Sequence, residues 1–517
     1  MTDFSQTPDW VRDAVFYQIF PDRFAGSARV PKPGPLEAWD APPTHHGYKG
    51  GDLLGIVEHL DYLADLGINA LYLNPIFASA SNHRYHTFDY YAVDPLLGGD
   101  AALRELLDAC HARGMRVVLD GVFNHSGRGF WPFHHIVEEG IGSPYLDWFF
   151  IDRERLANGS GLKPYPNATE RAALDEARAH AGAPGDASLA TLGYKAWWDL
   201  PALPKLNTDH PPMREHLLAS AEHWLRFGID GWRLDVAEEI DAGFWREFRQ
   251  RVRAVNPDAY IVAEIWRVKP NWTSGDTFDA LMNYPLTEAI ISFVAASTLD
   301  REVVASQHEY NRFVAPTDGA GFAGRVDEVL NAYGRATSEV QLNLLGSHDT
   351  ARFLTVAGDD LASLRLAMLA MATLPGAPCI YYGDEIAMAG RHDPDCRRAF
   401  PWDESRWDHA TLDLVRAALA LRHAEEPLRR GEYRTLATAG DAIAYGRLGE
   451  GGTAVVMLNA GAEAASLELT LPELAGRTLE AAALPGQAPL AIEALDGAAG
   501  RFRLSLAGRS GAVALAR

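Results

Sequence analysis

Eight short apolar segments, several of them separated by amphipathic helical stretches, constrain this chain more than any other feature. They are Val15 to Phe20 (VFYQIF), Ala70 to Asn74 (ALYLN), Arg116 to Val122 (RVVLDGV), Gly231 to Val236 (GWRLDV), Tyr260 to Ile265 (YIVAEI), Phe278 to Tyr284 (FDALMNY), Val340 to Asp349 (VQLNLLGSHD) and Cys379 to Glu385 (CIYYGDE). Most are nearly all apolar, as strands are when both faces are covered. Leu53, Val57, Leu60 and Leu63 share one face of a helix that Asp52 caps, that runs to Leu66, and that Gly67 stops. Further helices are read from Ala101 to Arg113, from Pro212 to Phe227 with prolines in its first turn, and from Phe244 to Val255. Eight strands with helical crossovers is the count of a (β/α)8, or TIM, barrel, an α/β fold.

Two stretches break the rhythm. Residues 126–207 form a long insertion after the third strand, rich in Gly, Pro and Ala, with a charged, helix-compatible piece near Thr169 to His180. A stretch of that length is functional or a small domain of its own. After a helix from Leu412 to Arg422 the text turns into short alternating strands (IAYGRL, TAVVMLNA, LELTL, RFRLSL, AVALA), which read as an antiparallel β-sandwich. The expected division is therefore a barrel over 1–125 and 208–427, an inserted domain over 126–207 and a C-terminal β domain over 428–517.

The chain has 517 residues, 47% of them apolar, enough for a large core. Its net charge of -22 repels phosphate backbones, which argues against nucleic acid as a partner and suits an uncharged or cationic substrate. The three cysteines, Cys110, Cys379 and Cys396, show neither pairing nor metal-ligand spacing, which points to a reducing, cytoplasmic setting. MTDFSQTPDWVRD is not a secretory leader, and no apolar run is long enough to span a membrane.

Polar residues gather at the C-terminal ends of the strands, where barrel enzymes place their chemistry. Asp120, Asn124 and His125 follow the third strand, Arg233 and Asp235 end the fourth, Glu264 ends the fifth, and His348 and Asp349 follow the seventh. Taken alone, Arg233 and Asp235 are equally a structural ion pair or a carboxylate kept ionised for chemistry, since an opposite charge favours the charged form. A lone strand-end Asp is commonly a helix cap and a lone His a hydrogen-bonded structural residue. Three carboxylates and two histidines converging on one cleft suit glycoside hydrolysis, which needs one ionised carboxylate and one protonated carboxyl. Asp235, beside its arginine, is expected to stay ionised. Glu264, between Ala263, Ile265 and Trp266, is expected to be raised by desolvation, as a general acid requires.

DGVFNH (120–125), GWRLDVAEE (231–239), AEIW (263–266) and LLGSHDT (344–350) resemble the four ordered motifs of glycoside hydrolase family 13, the α-amylase family. LPKLN (203–207) resembles a fifth motif of its neopullulanase, cyclomaltodextrinase and maltogenic amylase group. The resemblance implies a retaining mechanism with Asp235 as nucleophile, Glu264 as acid/base and Asp349 as transition-state stabiliser. It places Arg233, His125 and His348 around the sugar at the cleavage point. SNHRYHTFDYYAVDP (81–95) resembles the segment that carries a sugar-stacking tyrosine, here Tyr85, with His86 beside it. HDPDCRRAFPWD (392–403) resembles one in which an Asp and an Arg hold the terminal glucose, here Asp393 and Arg397. Trp266 and Glu239 complete the expected substrate-binding set. A core tyrosine and a surface salt bridge are the bland readings of Tyr85 and of Asp393 with Arg397.

Three departures stand out. The group's additional N-terminal β domain, which helps build its dimer, has no counterpart before Pro8, so a monomer or an oligomer built another way is expected. The loop after the first strand, AGSARVPKPGP (25–35), has no carboxylate for the calcium that the group often binds, leaving Asn124 and Asp52 as partial ligands. No metal site and no required cofactor are therefore expected, with calcium doubtful. Third, Glu238 stands where the group usually has Asn, next to Glu239, where specificity is expected to be decided. The implied activity is hydrolysis of α-1,4-glucosidic bonds in maltooligosaccharides, cyclodextrins or pullulan. The alternatives are a transglycosidase, α-glucosidase or trehalose synthase-type enzyme of the same family and, more remotely, a non-catalytic scaffold, which would lack one of the carboxylates.

Overall fold

The computed structural model describes residues 7–516. The first six residues of the stretch read as no leader lie outside that range. Eight parallel strands form one sheet: β1 (Phe16–Ile19), β2 (Ala70–Leu73), β3 (Arg116–Gly121), β4 (Gly231–Leu234), β5 (Tyr260–Ala263), β6 (Ala280–Leu281), β7 (Leu342–Leu344) and β8 (Ala377–Tyr381). Neighbours pair in the order β6-β5-β4-β3-β2-β1-β8-β7, and a parallel bridge between Met282 and Leu342 closes the barrel.

Strand parity sorts the side chains. Phe16, Ala70, Tyr72, Val118, Tyr260, Val262, Ala280, Met282, Leu342, Leu344 and Cys379 form one buried cluster inside the barrel. The alternate residues, among them Tyr17, Leu71, Leu119, Trp232, Ile261 and Ala263, pack in the cluster between the sheet and the helices. Both faces are buried, which is why the strands read as continuous apolar runs. Asp120, Arg233 and Glu264 fall on the inward parity at the C-terminal ends, in a register that sets Asp120 opposite Arg233. At Gly231 a Cβ would stand 2.3 Å from the carbonyl oxygen of Tyr260, so this close approach of β4 to β5 requires glycine.

The elements depart from the sequence expectation in several places; the strand expected from Val340 to Asp349, for one, keeps only Leu342–Leu344. The helix expected from Asp52 to Leu66 is two pieces, Leu53–Glu58 and Leu60–Leu66, broken at His59, whose ring Nδ1 takes the Gly55 carbonyl and whose face lies 3.7 Å from Trp402. The strand expected from Phe278 to Tyr284 keeps only Ala280–Leu281, because Tyr284 already begins the helix Tyr284–Val294.

Between β3 and β4 the chain makes three helices of seven or more residues before the barrel resumes: Trp131–Glu139, Ala168–Arg178 and Asp186–Leu192. Asn167 and Glu170 form a reciprocal capping box at the second. Bridges from His125 to Lys205 and from Phe149 to Leu206 tie this excursion back beside the end of β3. After the helix His409–Ala424 come strands β9 (Glu432–Ala439), β10 (Ala442–Gly449), β11 (Gly452–Asn459), β12 (Ala465–Thr470), β13 (Leu479–Ala481), β14 (Ala491–Asp496), β15 (Arg501–Leu506) and β16 (Ser510–Ala516). They form a sheet of five (β13-β16-β11-β10-β9) and a sheet of three (β12-β15-β14), whose facing residues Val455, Met457, Leu467, Leu469, Phe502 and Leu504 share one core.

Two fully buried arginines join this β-sandwich to the barrel. Arg422 donates to the carbonyls of Ala372, Leu428 and Gly376, and Arg447 to those of Thr373, Leu428 and Gly431. Burial pushes Arg422 down to about 9 and Arg447 to about 10, yet both are charged at neutral pH, with backbone carbonyls in place of carboxylates. Removing one guanidinium strands several buried acceptors, each costing about 1–3 kcal/mol. Arg447→Met is expected to lower the midpoint of thermal unfolding clearly, whereas Arg503→Met, on an exposed ion pair, leaves it within about 0.5 kcal/mol of wild type; differential scanning calorimetry of the two variants checks this.

Candidate active site

A cavity of about 770 Å³ opens at the C-terminal end of the barrel, lined by Tyr85, His125, Trp198, Asp235, Glu264, Trp266, His348, Asp349, Asp393 and Arg397, among others. Its floor is Arg233, which has no exposed surface. Nη1 of Arg233 lies 2.9 Å from Asp120 Oδ1 and 2.9 Å from Asp235 Oδ1, and Nη2 lies 3.0 Å from Glu264 Oε2. The Nη2 contact is a charge contact off the hydrogen-bonding angle, so Nη2 keeps an unspent donor. The one-to-one pair of Arg233 with Asp235 is thus corrected: one guanidinium serves three carboxylates. Burial outweighs it at Asp235, whose carboxyl is pushed well up, with Glu264, Asp120 and Asp349 acting in the same sense. Asp120 is raised to about 6 by burial, against Arg233 and the hydroxyls of Tyr72 and Tyr85.

The surroundings of Glu264 also differ from expectation. Ala263 and Ile265 point outward to the helices by strand parity. The carboxylate itself meets donors: Trp266 Nε1 at 3.1 Å on Oε1 and the Val236 backbone N–H at 3.0 Å on Oε2. That N–H is aimed by a strained backbone. Val236, directly after Asp235, has φ 38° and ψ 48°, a left-handed conformation that costs a β-branched residue about 1–3 kcal/mol.

A second network fixes the opposite wall. Tyr85 Oη donates to Asp120 Oδ2 (2.8 Å) and lies 2.7 Å from His348 Nε2, with the two rings stacked at 5.2 Å. His348 Nδ1 faces the amide nitrogens of Gln18 and Asn74, each at 3.0 Å, so it is the acceptor. The proton then sits on Nε2, between Tyr85 Oη and Asp349 Oδ2, the latter at 3.1 Å. Arg397 ties the rim together: Nε to the His348 carbonyl (2.8 Å), Nη2 to Asp349 (3.4 Å) and Nη1 to Asp393 (3.0 Å). His125 carries a buried Nε2 with no protein partner.

His125 is the first ring of a stack that runs along the wall, with Trp197 at 4.9 Å and Trp198 a further 5.2 Å on. Trp198 is 61% exposed, and Trp198 and Asp199 are both left-handed, at φ 50° and 54°. Arg178 holds the carbonyls of both residues, and Asp199 Oδ1 accepts from the Ser188 N–H at 2.7 Å.

Residues 18–425 match the family described as Alpha amylase, catalytic domain. The chain belongs to the α-amylase family. It is 41% identical to a cyclomaltodextrinase of Geobacillus thermopakistaniensis over 473 residues, 91% of this chain and 72% of that one. Among solved structures it superposes on a debranching enzyme of Nostoc punctiforme with a TM-score of 0.84 and 43% identity, covering 99% of both chains. It also superposes on the cyclic α-maltosyl-(1→6)-maltose hydrolase of Arthrobacter globiformis, with a TM-score of 0.81 and 34% identity over 99% of this chain and 100% of that one. This α-amylase-family chain is an α-glycoside hydrolase, and the scaffold alternative, which required a missing carboxylate, is set aside.

Of the residues singled out from the sequence, Tyr85, His86, His125, Asp235, Glu264, Trp266, His348, Asp349, Asp393 and Arg397 line the cavity. Arg233 lies beneath it. Glu239 does not line it: it pairs with Lys205 (3.4 Å) at the rim, and Glu238 pairs with Lys269 (2.6 Å). His83, Trp197, Trp198, Leu200, Leu203, Val236, Gln307 and His308 line the cavity without having been foreseen. Trp197 and Trp198 stand six and five residues before LPKLN, and that adjacency was the one available signal.

Among the described residues no group of three or more His, Cys, Asp or Glu side chains could hold a metal ion. Asp52 is spent on the backbone N–H groups of Ser27 and Gly55 and on Lys32 Nζ at 3.0 Å, and Asn124 Oδ1 takes Lys205 Nζ at 2.6 Å. No helix of the described residues is long and apolar enough to cross a membrane.

Burial pushes His86 down to about 4 and His125 to about 3, and His83 and His348 well below the usual range. Nitrogen-15 spectra of labelled histidine side chains are therefore expected to show these four rings without titration between about pH 5 and 8. A ring of this set that titrates there, identified by its loss in the matching His→Gln variant, contradicts the geometry.

Proposed function

We propose that this enzyme hydrolyses α-glucosidic bonds of maltooligosaccharides, cyclodextrins or pullulan with retention of configuration. Asp235 acts as nucleophile, Glu264 as acid/base and Asp349 as stabiliser of the developing positive charge. The single observation that carries the reading is the shared guanidinium: Asp235 and Glu264 each contact a terminal nitrogen of Arg233. Two carboxyls held by the two ends of one guanidinium stand close together, which supports a double displacement.

In the first step an Asp235 oxygen attacks the anomeric carbon while Glu264 gives its proton to the glycosidic oxygen; the C–O bond breaks and a glucosyl ester forms. In the second, Glu264 takes a proton from water, whose oxygen attacks the same carbon and releases Asp235. Sugar hydroxyls would meet the partnerless Nε2 of His125 and His348, with the ring of Tyr85 beneath the sugar. The names of the similar proteins cover cyclic maltodextrins and (1→6)-linked maltosyl rings, which supports short or cyclic α-glucans as substrates. Three buried, unpaired thiols support a reducing compartment.

Glu264→Gln and Asp235→Asn are each expected to lower kcat by on the order of 10³-fold or more while leaving the fold intact. A product time course on maltoheptaose and a cyclodextrin should show shorter malto-oligosaccharides released first as the α-anomer by NMR. Rearrangement of the donor without net hydrolysis would favour the transglycosidase or trehalose synthase-type alternative, and undiminished turnover by Glu264→Gln removes that residue from the acid role.

For calcium, we propose that the Lys32 ammonium does the work of a bound cation at Asp52, joining the loop after β1 to the carbonyl of Leu96. Chelation with EDTA is expected to leave the unfolding temperature and kcat unchanged, whereas Lys32→Ala lowers the unfolding temperature by leaving the buried Asp52 without its cation.

A further inference from the structure

No charged residue of β6 lines the cleft, yet the chain at its C-terminal end touches the site at three points. Met282 Sδ accepts from Nε of Arg233 at 3.4 Å. Two residues on, with the same inward parity, the ring of Tyr284 lies flat against Trp266, the centroids 3.7 Å apart and the planes within 6° of parallel. The Tyr284 hydroxyl lies 3.2 Å from Oγ of Ser347. Trp266 Nε1 in turn donates to Glu264 Oε1 at 3.1 Å, and Ser347 Oγ accepts the backbone N–H of Asp349 at 3.2 Å. We propose that Tyr284 is a positioning residue for both carboxyl groups: through the indole of Trp266 it aims Glu264 at the glycosidic oxygen, and through Ser347 it sets the place of Asp349. This role rests on the reading of Glu264 as acid/base.

The need for such a brace follows from how Glu264 is held. Its Oε2 meets the Val236 N–H and Nη2 of Arg233. At Oε1 the hydrogen-bond donor among the described residues is the indole N–H. The last torsion of a glutamate is broad, so the orientation of the carboxyl is decided by which donors meet its two oxygens. Trp266 is itself only half-buried, on the cavity wall, and its indole plane is set by the ring packed against it.

That ring is rigid. Tyr284 is buried and opens the helix Tyr284–Val294. Just before it, Asn283 gives its backbone N–H to the Leu342 carbonyl (2.8 Å) and its side-chain amide to Asn343 Oδ1 (2.8 Å). In the first turn of the helix, Thr287 gives its hydroxyl to the Leu344 carbonyl (2.6 Å). The brace is thus bonded to β7, the strand that leads into Ser347 and Asp349, while its face supports the indole that follows β5. Burial first, then the charges of Glu264 and Asp349, push the Tyr284 hydroxyl well above its ordinary value. It stays protonated and serves two acidic groups without adding a charge of its own.

Fluoride leaves a sugar without a proton, whereas a sugar hydroxyl needs one, so the two leaving groups separate the aim of Glu264 from general damage. The test measures kcat/KM of the full-length enzyme on maltotriose and on α-maltosyl fluoride. Tyr284→Leu is expected to lower it about 100-fold on maltotriose and about fivefold on the fluoride. Tyr284→Phe, which keeps the stacked ring and loses the hydroxyl, should cost about fivefold on both, the worth of one hydrogen bond. Trp266→Phe should show the same selective loss on maltotriose as Tyr284→Leu, and combining the two should deepen that selectivity less than about twofold, since both act through one N–H. Equal losses on the two substrates in Tyr284→Leu, or selective losses that add in full, overturn the proposal. Should Tyr284→Leu not fold, as circular dichroism would show, Tyr284→Phe and Ser347→Ala carry the test: each costs about fivefold on both substrates and the pair costs no more than either, whereas additive losses overturn the proposal. Glu264→Gln is the control. If it shows the selective loss on maltotriose and Tyr284→Leu does not, the brace alone is refuted; if Glu264→Gln does not show it, the acid role of Glu264 fails and the brace with it.

Discussion

The site depends on one buried guanidinium. Arg233 has no exposed surface, and its desolvation is tolerable only because carboxylates meet it on both terminal nitrogens. The dependence runs both ways. Asp120, Asp235 and Glu264 could not share so small a volume without it, since like charges at that range oppose ionisation. The bland reading of Arg233 with Asp235, a structural ion pair, and the chemical one are therefore not alternatives. The pair is structural, and by being oversubscribed it leaves the cluster short of positive charge. That shortage leaves burial to prevail at Asp235 and Asp120, whose carboxyls are both raised.

How these side chains come to meet follows from the period of the strands. Inward parity carries Val118 and Asp120 on β3, Gly231 and Arg233 on β4, and Val262 and Glu264 on β5, so each strand is apolar at its entry and charged at its exit. The same period moves Ala263 and Ile265 to the helix layer, which is why the apolar neighbours of Glu264 in sequence are not its neighbours in space. Reading desolvation from sequence neighbours fails at a strand end for this reason. The residues one step away share the backbone but not the face.

Most of the fold and the floor of the site were legible, because both are written in strand periodicity and in the residue types at strand ends. Asp120, Arg233 and Glu264 follow from that pattern, whereas Asp235 and Asp349, past the ends of their strands, were singled out with the help of the family motifs. What was not legible depends on chain conformation outside regular elements. Trp197 and Trp198 enter the cavity because two consecutive residues adopt the left-handed region, and neither Trp nor Asp announces that in sequence. Glu238 and Glu239 looked like specificity residues because they follow Asp235 in a motif. The turn at Val236 instead sends them outward to Lys269 and Lys205. The break of the helix at His59 was hidden as well: its ring lies tilted against Trp402, more than three hundred residues away.

Four of the seven described non-glycine residues with positive φ stand at or beside the cavity: Val236 next to Asp235, Trp198 and Asp199 on the aromatic wall, and Arg84 between the lining residues His83 and Tyr85. Each is over-determined by bonds from elsewhere: the Val236 N–H by Glu264, the Trp198 and Asp199 carbonyls by Arg178, Arg84 by Asp94. Such residues cost about 1–3 kcal/mol apiece, and a chain of this size offsets that easily from its core. The return is positional. A left-handed residue turns the chain more tightly than a regular element allows, so it can aim an N–H, a ring or a loop at a point that no strand end reaches. The barrel delivers charge to the floor of the cleft by periodicity. The shape of the walls, on which the choice among α-glucans rests, is set by these few costly turns and by the arginines and carboxylates that hold them.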